Sequence, residues 1–474
     1  AYIKMPNMSI YEMDSIGNPT DVFFSPRTTL QGDWSSSSKY IYNPVAMALR
    51  GKYNIVNNRI IPKFGLRYTI LKNLKYTFDV AFDINNEKRK AFLPQEATGL
   101  NWYEDEVNKT LDRDNDVFIV QTFNKLFYSP KINENNQLTF LASVITYDNT
   151  TYSYQSVTSN TASSELQDPV VPSRIIKSGL GPSSGKSKSR TLAELLIVNY
   201  SYKDKYIFSG SIRRDGSSKF GKTYRYGYFP SISARWRISD ESFMKSFKFI
   251  NDLSLRASYG QNGNEPGSKS YTQYNQYGTF DWTYLGEPAM YSKTMELANK
   301  RWETTIQKNL GFNLVMFNQK INIDFDVYHK RTKDLFFENL AIPSQSGFST
   351  MDMNVGVMDN QGWELSIMNK IIDNKASKFS LDFNFNIARN QNIIREISEL
   401  YPKQKGKTTN NGEYLSIIQI NNPIGSFYGY RCLGVYPDKE STIARDADGN
   451  KIYDINGNPV YMTFNYPSNA YIFQ

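Results

Sequence analysis

The chain has very little of the chemistry on which enzymes and metalloproteins depend. Its 474 residues include one cysteine, Cys432, and one histidine, His329. A single cysteine excludes an internal disulfide framework and a cysteine-based metal cluster. A single histidine argues against both a Ser-His-Asp triad and a histidine-rich metal site. The sequence therefore predicts no catalytic residue, no metal ligand and no cofactor, and a protein that is not an enzyme.

Long apolar runs are also missing. No stretch approaches the ~18 consecutive apolar residues that a transmembrane helix needs. A transmembrane strand remains open, since it needs only ~10 residues and its alternate positions can be polar. The first residues, Ala1 to Pro6, lack the basic start and apolar core of a signal peptide. The expectation is either a cytoplasmic protein or a chain whose front end lies outside this sequence.

Clustered charge of one sign is absent too. Lys and Arg number 55 against 46 Asp and Glu, a net charge of +9. No run of five or more basic residues forms the kind of arm that binds nucleic acid. Dispersed charge is typical of solvated faces and loops, so no nucleic-acid partner is expected.

Aromatic residues and two-residue alternation are what the chain has in abundance. It contains 34 Tyr and 29 Phe, and aromatics make up 15% of the residues. Between Leu192 and Gly260, four successive runs alternate apolar with polar side chains, which is typical of half-buried strands. In the third run, Trp236 lies on the apolar face and Arg235 on the other. The second face collects serines and arginines in strand after strand, so it must line something wet.

The connections between these runs are unequal in length. Short turns alternate with long polar loops, an arrangement typical of outer-membrane barrels. Roughly a dozen strands are predicted, hence an all-β fold: a large antiparallel transmembrane β-barrel, of the class with about 22 strands and a plugged lumen, with long extracellular loops. One connector, Asp240 to Asp252, has the spacing of a short helix. The predicted turns are near Asn73, Asp204, Asn318 and Asn374, and the predicted loops are 85–116, 148–190, 263–300 and 333–360.

Several blocks resemble, in family order, the barrel of SusC/RagA-type TonB-dependent transporters over about Asn43 to Tyr436. The family resemblance is carried by Arg214 to Gly221 (RDGSSKFG), Arg225 to Ala234 (RYGYFPSISA), Trp236 to Ser239 (WRIS), Leu255 to Asn264 (LRASYGQNGN), Trp302 to Thr305 (WETT), Asp324 to Asp334 (DFDVYHKRTKD), Asn354 to Glu364 (NVGVMDNQGWE), Pro423 to Tyr430 (PIGSFYGY) and Gly434 to Tyr436 (GVY).

This resemblance implies a multi-pass barrel in the bacterial outer membrane, in contact with its lipids. It implies import of large nutrients, oligosaccharides or oligopeptides, with a SusD-like surface lipoprotein as a lid and TonB–ExbB–ExbD as the energy source. The family's signal peptide, regulatory-like β domain, TonB box, plug and terminal strands are not visible here. We therefore expect residues 1–474 to be part of one barrel domain, with TonB engaged through the missing N-terminal part.

Candidate ligand-contacting residues lie on the polar face and in the long loops. The polar ones could equally hydrate the wall and satisfy a plug, and the aromatic ones could be lid contacts or loop packing. The polar set is Arg213, Arg235, Arg237, Arg256, Asp324, Asp326, Asp382, Asn384 and Asn386, and the aromatic set is Tyr271, Tyr274, Tyr277, Phe280, Trp282 and Tyr284.

Three further features suggest functional sites at first, but each is better interpreted as an ordinary turn, loop or interfacial residue. Asp446 to Asn450 (DADGN) resembles the start of a calcium loop, but position twelve is Gly457 where a Glu is needed, so turns are favoured. Gly179 to Ser187 (GLGPSSGKS) misses the first glycine of a P-loop and favours a flexible loop. His329 stands at a predicted strand end without catalytic companions, as an interfacial or loop histidine.

Two other protein classes stay open at this stage. A soluble or surface-attached β-rich carbohydrate-binding or adhesin module would use the aromatics as a ligand platform. A polysaccharide-degrading enzyme would need paired carboxylates, which the sequence does not place. The barrel hypothesis expects Trp236→Arg, on the lipid face, to cost about 2–4 kcal/mol if it lies near the midplane, and Ser233→Arg to be tolerated far better.

Overall fold

The structure is a computed structural model dominated by one antiparallel sheet. Among the residues it describes, no helix is both long enough and apolar enough to cross a membrane. Fifteen of the strands belong to the large sheet. The described residues are 9–24, 43–100, 102, 104, 107–167, 174–175, 182–267, 271–374, 379–397, 407–411, 414–429, 438–446, 448–461 and 471–473.

Strands account for nearly all of the regular structure, and the helices are short. The strands are β1 Tyr11–Met13, β2 Pro19–Phe23, β3 Lys52–Ile60, β4 Lys63–Leu71, β5 Leu74–Leu93, β6 Lys109–Tyr128, β7 Lys131–Asn133, β8 Asn136–Ser159, β9 Arg174–Ile175, β10 Ser183–Tyr202, β11 Tyr206–Ser217, β12 Tyr226–Arg237, β13 Ile250–Asn264, β14 Gln276–Tyr284, β15 Glu287–Thr294, β16 Glu303–Met316, β17 Ile321–Ala341, β18 Thr350–Asn374, β19 Phe379–Glu396, β20 Lys407–Asn411, β21 Tyr414–Ile418, β22 Ser426–Gly429 and β23 Tyr471–Phe473. The helices are α1 Pro44–Arg50, α2 Gln95–Thr98 and the 3₁₀ turns Ile238–Asp240, Ser242–Ser246, Ser344–Ser346 and Glu440–Thr442.

The long strands follow one another as a meander, which we call the wall. Its order is β3, β5, β6, β8, β10, β11, β12, β13, β16, β17, β18, β19. β4 continues the line of β3 along β5, and the break falls at Ile61 and Pro62. Proline lacks an N–H donor, but the Pro62 carbonyl still accepts from the Phe82 N–H at 3.0 Å. Within the described residues the wall is an open sheet with β3/β4 and β19 at its edges.

Tight turns join the strands at one end of the wall. Lys203 and Asp204 both have positive φ, and the Lys205 N–H donates to the Tyr202 carbonyl at 3.0 Å. This is the turn type whose twist matches two antiparallel strands. The turns predicted near Asn73, Asp204 and Asn318 are confirmed, whereas residues 375–378 lie outside the described part.

In the membrane-height part of the wall the register places most apolar side chains on one face and most polar side chains on the other. Ala234 pairs with Phe208 and Ala257, whereas Arg235 pairs with Ile207 and Arg256. Outward apolar side chains are exposed in the isolated chain, as Ile232 is at 60% and Leu310 at 54%. An exposed apolar face running across successive strands suits contact with lipid, so the polar face encloses the lumen.

The outward apolar band has a definite height. From the tight-turn end, the outward face becomes charged or amide-bearing after 8 residues on β17 (Ile321 to His329) and 12 on β5 (Leu74 to Asn86). This agrees with the ~9–11 residues that cross a bilayer in a tilted strand. Aromatic pairs mark the tight-turn end, including Tyr202 and Tyr206 at 6.3 Å and Tyr128 and Phe140 at 6.1 Å. Asn124 on β6 is an outward amide within the band, and Asn369 on β18 is one at its tight-turn rim. Above the band the outward face carries Asn86, Asp116, Asp148, Glu194, Arg214, Lys308, His329, Gln361 and Arg389.

Three of the predicted long loops are mostly strand, so those predictions are wrong. The loops at 85–116, 148–190 and 333–360 shrink because β5, β6, β8, β10, β17 and β18 run on past the band. Above the band both faces are polar, so the alternation that marks a strand disappears. The hydrogen-bond ladder nevertheless continues, with ion pairs between neighbouring strands such as Lys90–Asp112 at 3.3 Å and Arg190–Asp148 at 2.6 Å.

Two other local expectations have mixed outcomes. The loop predicted at 263–300 contains the hairpin β14–β15. The short helix expected within Asp240 to Asp252 is present as a 3₁₀ turn at Ser242–Ser246.

Placing an arginine on the two faces of β12 tests the assignment of outside and inside. Trp236 lies at the rim of the band, since its Nε1 donates to Glu241 at 3.2 Å beside the short connection. Ile232 is the better midplane probe, and Ile232→Arg should lower the free energy of unfolding by about 2–4 kcal/mol. Ser233→Arg should stay near the wild type because it enters the wet lumen. Denaturant unfolding of the full-length protein in lipid vesicles measures both, and equal damage would refute the assignment.

Candidate functional site: the polar inner wall

The inner face of the wall is a connected field of hydroxyl, amide and charged groups. Ser209 donates to Asn199 at 2.6 Å, and Ser211 and Ser231 share a hydrogen bond at 2.7 Å. Arg235 Nη2 donates to Ser254 Oγ at 2.8 Å. Each bond joins neighbouring strands, so the field is held by the same register that builds the sheet. Such a face can bind hydroxyl-rich or amide-rich ligands from many directions.

One ion pair crosses three strands. Arg256 on β13, Gly311 on β16 and Asp326 on β17 lie in one row of the register. Arg256 Nη2 reaches Asp326 Oδ2 at 3.0 Å across the glycine. A Cβ on Gly311 would overlap the carboxylate of Asp326. The glycine therefore makes the room in which the pair forms.

A second polar contact across an intervening glycine is found one strand further on. Tyr328, Gly362 and Asn390 also share a row. The Tyr328 hydroxyl donates to the Asn390 amide oxygen at 3.3 Å, over the glycine. Two glycines of the wall thus serve inward polar contacts and not turns.

The predicted polar residues share the inner face but are not gathered into one cluster. Arg213 binds Asp215 at 2.7 Å, and Arg235 lies 3.6 Å from Asp252. Arg237 lies 3.5 Å from both Asp240 and Asp252. Asp324 accepts from Asn313. On the edge strand β19, Asp382, Asn384 and Asn386 lie opposite Lys370, Met368 and Ser366.

The loop aromatics divide into packed and exposed ones. The Tyr271 hydroxyl accepts from the Lys188 N–H at 2.8 Å, and Phe280 lies 4.7 Å from Tyr291. Tyr274 and Tyr277 are 56% and 61% exposed. Trp282 and Tyr284 belong to β14, and their side chains lie outside the described part of the chain. Ligand contact remains a prediction for the whole set.

The family-like motifs meet in a buried aromatic cluster near the far ends of β11 to β13. Phe220 is fully buried and its ring lies 4.9 Å from Trp302, which is 5.8 Å from Phe229. A Cβ at Gly227 or Gly263 would overlap the Phe229 ring. The glycines and aromatics of those blocks are therefore structural, a role that sequence reasoning missed although their Gly–aromatic spacing could have indicated it.

A cluster of polar contacts adjoins the aromatic cluster. Arg301 binds Asp334 at 2.6 Å, and the Asn354 amide donates to the carbonyls of Arg301 and Asp334 at 2.9 and 2.8 Å. Beside it Lys300 is 3% exposed, and burial lowers the pKa of its ammonium group. Its Nζ lies 5.1 Å from the centre of the Phe336 ring. The long connection between β13 and β16 is thereby fixed to β17 and β18.

The described residues of the DADGN segment, Asp446 and 448–450, make the hydrogen bonds of a turn. The Asp446 carboxylate accepts from the N–H groups of Asp448 and Asn450, and these bonds lower its pKa. Asp454 does the same with Asn456 and Asn458. Within the described residues no group of three or more His, Cys, Asp or Glu side chains could hold a metal ion.

The structure also shows where the P-loop-like segment and His329 lie. Ser183 to Ser187 belong to β10, so the flexible loop expected there is wrong for these residues, and 179–181 lie outside the described part. His329 faces outward, with its Nε2 3.6 Å from Asp359. Asp359 is 1% exposed and also binds Arg331 at 2.7 Å and Arg395 at 2.9 Å. This cluster ties β17, β18 and β19 together just above the apolar band.

Truncating the centre of the aromatic cluster tests its structural role. Phe220→Ala should lower the free energy of unfolding by about 3–5 kcal/mol, since it empties a fully buried site. The control Tyr274→Ala, at an exposed ring, should stay within about 0.5 kcal/mol of the wild type. Denaturant unfolding of the full-length protein gives both values, and a neutral Phe220→Ala would contradict the buried cluster.

Adding a single methyl group to the wall tests the three-strand ion pair. Gly311→Ala should destabilise the protein by about 1–3 kcal/mol, because the new Cβ would overlap both the Asp326 carboxylate and the Phe325 carbonyl oxygen. Gly210→Ala on β11 is the matched control, since its Cβ would meet nothing within 4 Å. The two melting temperatures should separate clearly, and similar values would show that Asp326 moves aside freely.

Comparison with known proteins places this wall in one family. A family model described as "TonB dependent receptor-like, beta-barrel" matches residues 10–464. TonB-dependent receptor P39 of Formosa agariphila is 32% identical over 440 residues, covering 89% of this chain and 39% of the relative. TonB-dependent receptor SusC of Bacteroides thetaiotaomicron is 29% identical over 284 residues, covering 56% of this chain and 26% of the relative.

A solved structure shares the fold. The RagAB peptide transporter superposes with a TM-score of 0.72 at 21% identity, covering 94% of this chain and 48% of that one. The chain thus spans less than half the length of these relatives. Since the family match extends over residues 10–464, the chain belongs to the TonB-dependent receptor-like β-barrel family, of the SusC/RagA type, and it is an outer-membrane protein.

Proposed function

We propose that the receptor containing this chain imports large nutrients, oligosaccharides or oligopeptides, across the outer membrane. The observation that carries the proposal is the continuous polar inner face of the wall. Its charges are fixed by cross-strand partners such as Arg235–Ser254 and Arg256–Asp326. A wall of pre-positioned donors and acceptors suits a ligand with many hydroxyl or amide groups, because little ordering remains to be done on binding.

The proposal includes partners that belong to this type of receptor. A SusD-like surface lipoprotein would cover the outer mouth, and TonB–ExbB–ExbD would supply energy through a segment other than the wall. One large sheet containing most of the described strands supports treating residues 1–474 as part of a single barrel domain. The ligand would be held between wall and lid and released when a plug is displaced from the periplasm.

Two substrate classes fit the inner face. The structural relative is named as a peptide transporter, and SusC is a relative whose name gives no substrate. Amide-bearing and hydroxyl-bearing ligands would use the same side chains, so we keep both classes. Ligand contact is proposed for Arg213, Arg235, Arg256, Asp324, Asp382, Asn384 and Trp282.

Transport and not catalysis is the activity that we propose. The family to which the chain belongs is one of receptors and transporters. A soluble carbohydrate-binding or adhesin module is not favoured, because outward side chains such as Ile232 and Leu310 would be left in water.

Uptake by cells that carry the full-length receptor tests the proposal. Deleting its gene should abolish import of labelled oligopeptides or of labelled oligosaccharides, and disrupting TonB should have the same effect. Import of an amino acid or a monosaccharide serves as the control and should be unchanged. Unaltered uptake of both large classes in the deletion strain would refute the function.

Two adjacent arginines of β11 offer a matched pair for the site. Arg213 faces inward and binds Asp215, whereas Arg214 faces outward and binds Glu194 at 2.7 Å. Arg213→Gln should change the uptake rate or the ligand preference several-fold, since lumen substitutions tune selectivity. Arg214→Gln should leave uptake unchanged. An equal effect of the two variants at equal receptor abundance would contradict a ligand role for the inner face.

A further inference from the structure

A cationic patch lies on the outward face of the wall, immediately above the apolar band. Lys308 on β16 is directly opposite His329 on β17, and His329 is opposite Gln361 on β18. Arg389 on β19 lies opposite Trp363, one outward position below Gln361. These residues border an open groove of about 560 Å³ on the outside of the wall. Lys308 is the residue that interrupts the apolar face of its strand in the sequence.

Within the described residues the charge of this patch is not balanced. Its outward cations are Lys308, Arg331, Arg389 and Arg395. The carboxylates that interact with them are Asp359, which binds Arg331 and Arg395, and Glu396, which interacts electrostatically with Arg331. Asp359 is already occupied by Arg331 and Arg395. Among the described residues no carboxylate lies within ion-pair distance of Lys308 or Arg389.

Outward cations elsewhere in the wall show how the sheet itself can hold such charges. Lys90–Asp112 at 3.3 Å, Arg190–Asp148 at 2.6 Å and Arg214–Glu194 at 2.7 Å are ion pairs between neighbouring strands. Lys186 instead lies 4.9 Å from the centre of the Tyr152 ring. Within the described residues Lys308 and Arg389 have no carboxylate partner of this kind.

The surroundings of the patch identify the occupant. Leu310, Val327 and Trp363 form the lower border of the groove and continue into the apolar band. A molecule that fills the groove would place its apolar part against these side chains and its anionic part against Lys308 and Arg389. We propose that this groove binds an outer-leaflet lipid whose headgroup phosphate carries net negative charge, not neutralised by a cation of the same headgroup. Phosphate is the anion that ammonium and guanidinium groups at a membrane surface select.

The test uses the purified, delipidated full-length receptor and three probes: diphosphorylated lipid A, phosphatidylethanolamine and inorganic phosphate. Lipid A should raise the melting temperature and remain bound in native mass spectrometry, while the other two should do neither. The double variant Lys308→Gln with Arg389→Gln should bind lipid A about tenfold more weakly or worse, because each cation near an anionic surface adds to affinity. These residues are chosen because Arg331 and Arg395 also hold the buried Asp359, so changing them would confound binding with folding.

Lys330→Gln is the matched control. Lys330 neighbours His329 on β17 but faces the lumen, paired with Gln307, so this variant should bind lipid A like the wild type. Equal binding by the double variant, or equal binding of phosphatidylethanolamine, would overturn the proposal. Equal stabilisation by inorganic phosphate would also overturn it, since the groove would then be a free-anion site.

Discussion

The register of the hydrogen-bonded wall is the constraint on which the other features of this chain depend. Side chains alternate with a period of two, so a slip of one residue would turn every lipid-facing group of a strand into the lumen. The chain resists such slips with contacts that only the observed register permits. Arg256 reaches Asp326 because Gly311 stands between them, and Tyr328 reaches Asn390 because Gly362 does. These inward bonds serve as much to fix the strands as to prepare a binding surface.

Strand length is set by two things: the thickness of the membrane, and how far the hydrogen-bond ladder continues above it. Crossing the apolar band takes 8 residues on β17, yet that strand runs from Ile321 to Ala341. Beyond the band, exposed ion pairs such as Lys90–Asp112 each contribute little alone. Added to a continuous backbone ladder, they keep the sheet intact above the membrane. The Asp359 cluster is the buried exception, since two arginines and His329 converge on one carboxylate.

How far the sequence could predict this molecule is seen by following single strands. Ile321, Ile323, Phe325 and Val327 alternate with polar residues, so the membrane part of β17 could be predicted. Its continuation could not, because Arg331 and Lys333 on one face and Lys330 and Thr332 on the other carry no alternation. β3 was missed for the same reason, with Asn57, Asn58 and Arg59 in succession. Polar contacts of the inner wall such as Arg235–Ser254 and Arg256–Asp326 join residues 19 and 70 positions apart, and no local pattern indicates such distances.

The motifs that reveal the family and the proposed ligand contacts occupy different places. Phe220, Phe229 and Trp302, with the glycines that admit their rings, build a buried cluster, so their pattern reports how the barrel is held together. The proposed ligand contacts, in contrast, lie at inward positions such as Arg213 or Asp382, where a change of side chain leaves the ladder intact. A sequence of this kind therefore identifies the family readily and the ligand poorly. Packing restricts the motif positions to a few residue types, while a water-filled lumen accepts almost any polar side chain on its wall.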